Sequence, residues 1–100
     1  MIKHIVLNKL KDFAEGKTKE ENALWMKENL EKMVDFIPEL ILIEVGIDFL
    51  KSERSWDVSI YTVFASKEDL QTYMTHPHHL ELIDHILKIR EDAKVVDYEI

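Results

Sequence analysis

The chain contains no cysteine, which removes disulfide cross-links, thiolate nucleophiles and every metal centre that depends on Cys ligands. Such a chain fits a reducing cytoplasm. Glycine and proline are scarce, two of each in 100 residues, while 46% of the residues are apolar. That is the composition of a folded globule, not of a linker or a disordered chain. Long apolar runs are missing too. None exceeds four residues, as in Leu40 to Ile43, against about 20 needed to span a bilayer. The segment from Met1 to Leu7 leads into a strand-like stretch without the anatomy of a secretory signal. These features together predict a cytoplasmic protein with no membrane partner. Basic residues are in the minority, 13 Lys and Arg against 20 Asp and Glu, for a net charge of −7. No basic stripe appears anywhere, so phosphate backbones are repelled and nucleic acid is excluded as a partner.

What is present is enough for one domain covering residues 1–100. At this size only about two-thirds of the unfolded chain's surface is buried, so the core is thin. Ile2 to Leu10 is rich in Ile, Val and Leu and too short for a typical helix, which predicts a strand. Its alternate faces are Ile2, His4, Val6, Asn8, Leu10 and Lys3, Ile5, Leu7, Lys9. Both carry apolar residues, so both are expected to be covered. Asp12 to Lys17 reads as a loop. Thr18 with Glu21 three residues on is a capping-box signature. Ala23, Met26, Leu30, Met33, Val34 and Ile37 then form one apolar stripe, in a helix stopped by Pro38.

Leu40 to Phe49 reads as a second strand, with Gly46 marking a bulge or a close approach of backbones. The polar turn Lys51 to Ser55 joins it to a third strand, Trp56 to Ala65, as a hairpin. Trp56, Val58, Ile60, Thr62 and Phe64 share one face of that strand. Ser66 and Asp69 repeat the capping-box spacing ahead of a helical region bearing Leu70, Tyr73 and Met74. His76-Pro77 is a structural junction, because proline suits the first turn of a new helix and not the interior of an old one. The new helix aligns His79, Leu82, Ile83, Ile86 and Leu87, and Val95 to Ile100 closes the chain as a fourth strand. The order is βαββαβ, the ferredoxin-like arrangement of the α+β class. It predicts a four-stranded antiparallel sheet with its helices on one face.

The other sheet face would show Ile5, Leu7, Tyr61 and Val63, a patch larger than a monomer usually leaves open. A second copy packed sheet to sheet would cover it and close a barrel, so a homodimer through the open sheet face is expected. The alternative is a tolerated half-polar face, which Lys3, Lys9, Asp57 and Ser59 would help to solvate.

The densest chemical constellation is Tyr73-Met74-Thr75-His76-Pro77-His78-His79. It is not read as a metal site: the histidine spacing is not that of a zinc centre, and the proline breaks the helical register. His79 shares the inward stripe of its helix, Tyr73 follows Leu70 by three residues, and His4 shares a strand face with Val6. If that face meets the helices, the three converge on one cavity. A neutral imidazole there can serve as a general base, and a phenol can donate to a developing oxyanion. The competing reading is three buried polar groups, each satisfied by a backbone carbonyl or a water. His78 and His85 fall off the apolar stripe and are expected in solvent. Trp25 and Trp56 read as packing residues.

A family resemblance runs through these residues. His4-Ile5-Val6-Leu7-Asn8-Lys9-Leu10, Ile37-Pro38 and Glu44-Val45-Gly46 resemble the stress-responsive α/β-barrel (Dabb) family. So do Phe64 to Leu70, Tyr73, His76-Pro77-His78-His79 and Val96-Asp97-Tyr98. The resemblance covers essentially the whole chain and implies ferredoxin-like subunits paired into a dimeric barrel. Most bacterial members have no assigned activity. A plant member is a polyketide cyclase that performs an aldol condensation without a cofactor. By that likeness Tyr73 and His79 would be catalytic and His4 a pocket residue. A pocket histidine of the plant enzyme is replaced here by Val58, which puts the substrate in doubt. The ligand implied is a small apolar or carbonyl compound, with Ile60, Phe64 and Leu82 as apolar walls. Plant members also imply magnesium held by backbone carbonyls near the end of the first helix, although no cofactor is called for by the residues themselves. A non-catalytic ligand-binding dimer is the competing function. A haem-degrading or monooxygenase activity rests on fold analogy and Asn8 alone.

Overall fold

The computed structural model describes all residues 1–100. Strand β1 (Ile2–Leu10) is followed by two short strands, β2 (Phe13–Ala14) and β3 (Lys17–Thr18), and by helix α1 (Lys19–Glu31). Strands β4 (Leu42–Ile47) and β5 (Val58–Phe64), helices α2 (Lys67–Thr75) and α3 (Pro77–Ile89), and strand β6 (Arg90–Glu99) complete the chain. The main sheet has the order β4-β5-β1-β6, antiparallel throughout. This is the ferredoxin-like α+β fold expected from the sequence.

The helix-facing side of the sheet buries Ile2, His4, Asn8 and Leu10 of β1 and Val58, Ile60, Thr62 and Phe64 of β5. From α1 come Ala23, Met26 and Leu30, and from α3 come Ile86 and Ile89. The opposite side is open. Leu7, Leu42, Val96 and Tyr98 are all exposed there, and Ile5 and Tyr61 are half-buried. Within one subunit β1 is therefore covered on one face only. Lys3 shields part of the open face, its ammonium bonded to the Tyr61 hydroxyl and lying 5.1 Å from that ring's centre.

Several boundaries differ from the sequence reading. The expected loop at Asp12 to Lys17 holds the β2–β3 hairpin, because Glu15 (φ 52°) and Gly16 (φ 75°) both adopt the left-handed turn conformation that two-residue hairpins require. Asn22, fully buried, ties that hairpin to α1 by donating to the Ala14 carbonyl at 3.1 Å. The Thr18–Glu21 capping box forms in full, whereas Ser66 supplies only its half, accepting from the Asp69 N–H at 3.1 Å. α1 ends at Glu31 and tightens into a 3₁₀ turn over Lys32–Asp35, which rotates Val34 out to solvent. Leu87 is likewise exposed, and Ile89 takes the buried place instead. At Gly46 the backbones approach closely: a Cβ there would meet the Ser59 Oγ at 3.1 Å. The last strand starts at Arg90, five residues before the apolar stretch that marked it in the sequence. Its pairing with β1 shifts register between Lys9 and Leu10.

No helix is long and apolar enough to cross a membrane.

Candidate functional site

Between β1, β5 and β6 on one side and α2 and α3 on the other lies a cavity of about 340 Å³, mostly apolar in lining. That volume falls in the range of small-molecule sites. Tyr73 reaches it from α2, His79 from the first turn of α3 and His4 from β1. The break between the helices allows this. His76 ends one helix and caps the next: its N–H donates to the Tyr73 carbonyl at 3.2 Å, and the His78 N–H donates to its Nδ1 at 3.1 Å. Pro77 occupies the first position of α3, where no amide hydrogen is needed.

Tyr73 sits between the two imidazoles. Its ring centre is 4.4 Å from that of His79, 6.4 Å from that of His4 and 5.0 Å from that of Phe64. Burial pushes the Tyr73 phenol well above its ordinary pKa, so it stays protonated through any physiological range. Burial also holds His79 below its ordinary value, against a smaller opposite pull from the Met74 backbone and with added repulsion from His4 and His76. The His79 Nδ1 is fully buried and makes no hydrogen bond of good geometry, the Met74 backbone acting on the ring only weakly. Both groups are thus tuned toward their neutral forms.

His4 has a partner that sequence reasoning missed. Register places Asp97 of β6 directly opposite it, and the His4 Nδ1 is hydrogen-bonded to the Asp97 carboxylate. Only strand pairing across the sheet brings these residues together, and no local pattern shows it. Arg90, Ala93 and Val95 of β6 also line the cavity and were unforeseen for the same reason, as was Leu30 from α1. Asn8 is fully buried beside them, its amide donating to the Val58 carbonyl at 3.2 Å and its oxygen accepting from Arg90 at 3.3 Å.

Of the residues expected to wall a ligand, Ile60 lines the cavity and Val58, Phe64 and Leu82 do not. Val58 faces the core at the Asn8 end of β5. Phe64 pairs with Ile2, one step outward of His4, and lies covered by Tyr73. Leu82 is half-buried against the apolar core. His78 and His85 are not free in solvent. They pack on Phe36 and Trp25, with ring centres 4.4 and 4.3 Å apart.

Magnesium fits poorly at the end of α1. The carbonyls of Leu30, Met33 and Ile37 each accept backbone N–H groups. The Glu31 carboxylate there is bonded to Lys27 at 2.9 Å and to the Val45 N–H at 3.1 Å, and the Lys27 contact above all holds its pKa low. No group of three or more His, Cys, Asp or Glu side chains in the chain is arranged to hold a metal ion. This is not the open, oxygen-rich donor set that magnesium takes.

The family described as the stress responsive A/B barrel domain, Dabb, matches residues 2–100. No curated protein matches the chain. Among solved structures, a dimeric protein of unknown function with a ferredoxin-like fold from Bacteroides fragilis is 29% identical, with a TM-score of 0.79 over 99% of this chain and 95% of that one. A Dabb family protein from Mesorhizobium loti is 21% identical, with a TM-score of 0.76 over 99% of this chain and 95% of its own. The hydroxynitrile lyase of Passiflora edulis is 18% identical, with a TM-score of 0.78 over 99% of this chain and 92% of its own.

Proposed function

The chain belongs to the stress-responsive A/B barrel domain (Dabb) family, and we propose that its cavity binds a small, largely apolar carbonyl compound and moves a proton at the carbon beside the carbonyl. One observation carries this reading: a buried imidazole with no hydrogen bond of good geometry at Nδ1, packed on a buried phenol at the wall of an apolar cavity. Structural histidines are normally well bonded, so one held neutral by burial with only a weak backbone interaction at a cavity wall calls for an explanation.

The roles follow from the geometry. With Nδ1 buried, Nε2 is the nitrogen of His79 that a ligand can reach. Kept neutral by burial, it takes the proton from the carbon, and the C–H electron pair moves into the developing enolate. Tyr73, kept protonated, donates a hydrogen bond to the enolate oxygen. His4, held by Asp97, orients the ligand from the sheet side. The proton then returns to carbon, or the enolate attacks a second carbonyl within the same molecule, whose C=O π pair becomes an alkoxide that takes the proton back from His79, as in an aldol step.

The test is wash-in of deuterium at the α-carbon, followed by NMR over a panel of alkyl and aryl ketones. The wild type should exceed the buffer rate. His79→Ala should fall to background, and Tyr73→Phe should lose roughly 100- to 1,000-fold. Wild-type exchange in both variants would sink the mechanism. Binding of the same ketones with no exchange in any would leave a non-catalytic ligand-binding module. A monooxygenase reading gains nothing, since the Asn8 side chain is already bonded at both its oxygen and its nitrogen.

The assembly belongs to the same proposal. Relatives are described as dimeric, and the open sheet face here carries Leu7, Leu42, Val96 and Tyr98 exposed together. Pairing two copies through it supports the cavity by stiffening the sheet that forms its floor.

A further inference from the structure

Arg90 is the one cation at the cavity wall, and nothing in the proton-transfer reading uses it. It is half-buried, and its recorded side-chain bond is a single one to Asn8 at 3.3 Å. None of the chain's ion pairs includes it, in a protein with 20 acidic residues. A guanidinium carries five donors in a planar fork, so most of its capacity is unspent. Standing at the C-terminus of α3, Arg90 also favours the helix dipole. That benefit would be met as well by a side chain turned to water.

Its inward direction has a specific cause. Asp92 pairs with Lys9, but Leu10 pairs with Arg90 and not with Glu91, so β6 carries one extra residue at this point. Side chains alternate along a strand, and a bulge resets the alternation. Without it, Glu91 would stand opposite the buried Leu10 and face the cavity. With it, Glu91 is exposed and Arg90 lines the wall.

The cavity therefore has two unlike ends. His4, Tyr73 and His79 mark one. Arg90 marks the other, its fork bonded to Asn8 behind the wall, and Asn8 stands four residues along β1 from His4, roughly 13 Å away at strand rise. Val6, Ile60, Ile83 and Val95 lie between. We propose that the ligand is amphipathic: a carboxylate held by the Arg90 fork, an apolar body along the middle, and the reacting carbonyl at the histidine end. This rests on the cavity being the ligand site and adds the substrate class, an oxo-acid.

The experiment compares octanoate with 1-octanol by titration calorimetry on the intact protein, because neither probe has a reacting carbonyl. The wild type should bind octanoate at least about tenfold more tightly than octanol. Arg90→Met should lose that preference while still binding octanol, and Arg90→Lys should keep part of it. Equal affinity of the wild type for both probes overturns the carboxylate assignment and leaves the proton-transfer reading standing. A preference that survives in a folded Arg90→Met, judged by its melting transition, overturns it too. Failure of both probes to bind overturns the assignment together with the cavity as a ligand site.

Discussion

Replacing His79 with phenylalanine should make the protein more stable while destroying the proposed activity. The wild-type ring buries Nδ1 with only a weak interaction from the Met74 backbone, and a buried polar group left without a good partner costs up to about 1–3 kcal/mol. Phenylalanine removes that cost and keeps a ring against Tyr73, so the 4.4 Å packing is retained. The slightly larger ring expands into the adjoining cavity rather than into packed core. After allowing for imperfect fit, a gain of about 1 kcal/mol is expected above the ordinary histidine pKa, which raises the melting temperature by roughly 4–8 °C for a domain this size. The gain should widen in acid. The folded-state pKa of His79 is depressed, so the unfolded chain binds the proton first. Wild-type stability from this group is complete above the unfolded value and is lost as pH falls toward the folded one. Phenylalanine has no such loss. Thermal melts at about pH 7.5 and about pH 5.5, either side of the ordinary value, at one protein concentration, provide the check. A variant less stable than wild type at the higher pH, or a gap that does not grow in acid, would refute the reasoning.

Three further outcomes follow. Thr18→Ala removes the side chain that accepts from the Glu21 N–H at 3.2 Å and should cost about 1 kcal/mol in urea unfolding; Thr18→Gly should cost less. Asn22→Ala removes the bond to the Ala14 carbonyl, so the β2–β3 hairpin should exchange its amide hydrogens faster while the main sheet does not. Leu7→Glu places a charge on the open sheet face and, with the proposed dimer, should shift sedimentation toward monomer with the circular dichroism unchanged; sedimentation equal to the wild type's would refute pairing through this face.

The parts of this molecule that were legible in its sequence are those governed by near neighbours. Period-two alternation assigned the inward face of β1 correctly, and Thr18 and Pro77 marked helix starts because a cap and a missing amide act within one turn. What escaped was set by distant partners. β6 begins with Arg-Glu-Asp, which has no strand signature, and it is held as a strand by pairing with β1. Asp97 and Arg90 acquire their places only through that pairing and its bulge. Val58 and Phe64 were assigned to the right sheet face, yet a face is wider than the cavity it floors, and their positions along β5 put them in the packed core. Val34 was misassigned because the 3₁₀ turn changes the angular step between residues.

The interruption at His76-Pro77 has a consequence for how the two central residues came to meet. Tyr73 and His79 are six positions apart, and at 3.6 residues per turn an unbroken helix would set them roughly 120° apart around its axis. Only one of them could then look into the cavity at a time. Two shorter cylinders, each turned independently, let both do so. The angle between α2 and α3 is therefore the setting that governs whether phenol and imidazole act on the same molecule. Residues that pack the outside of that elbow, such as Phe36 against His78, are places where the setting can be altered without touching the cavity.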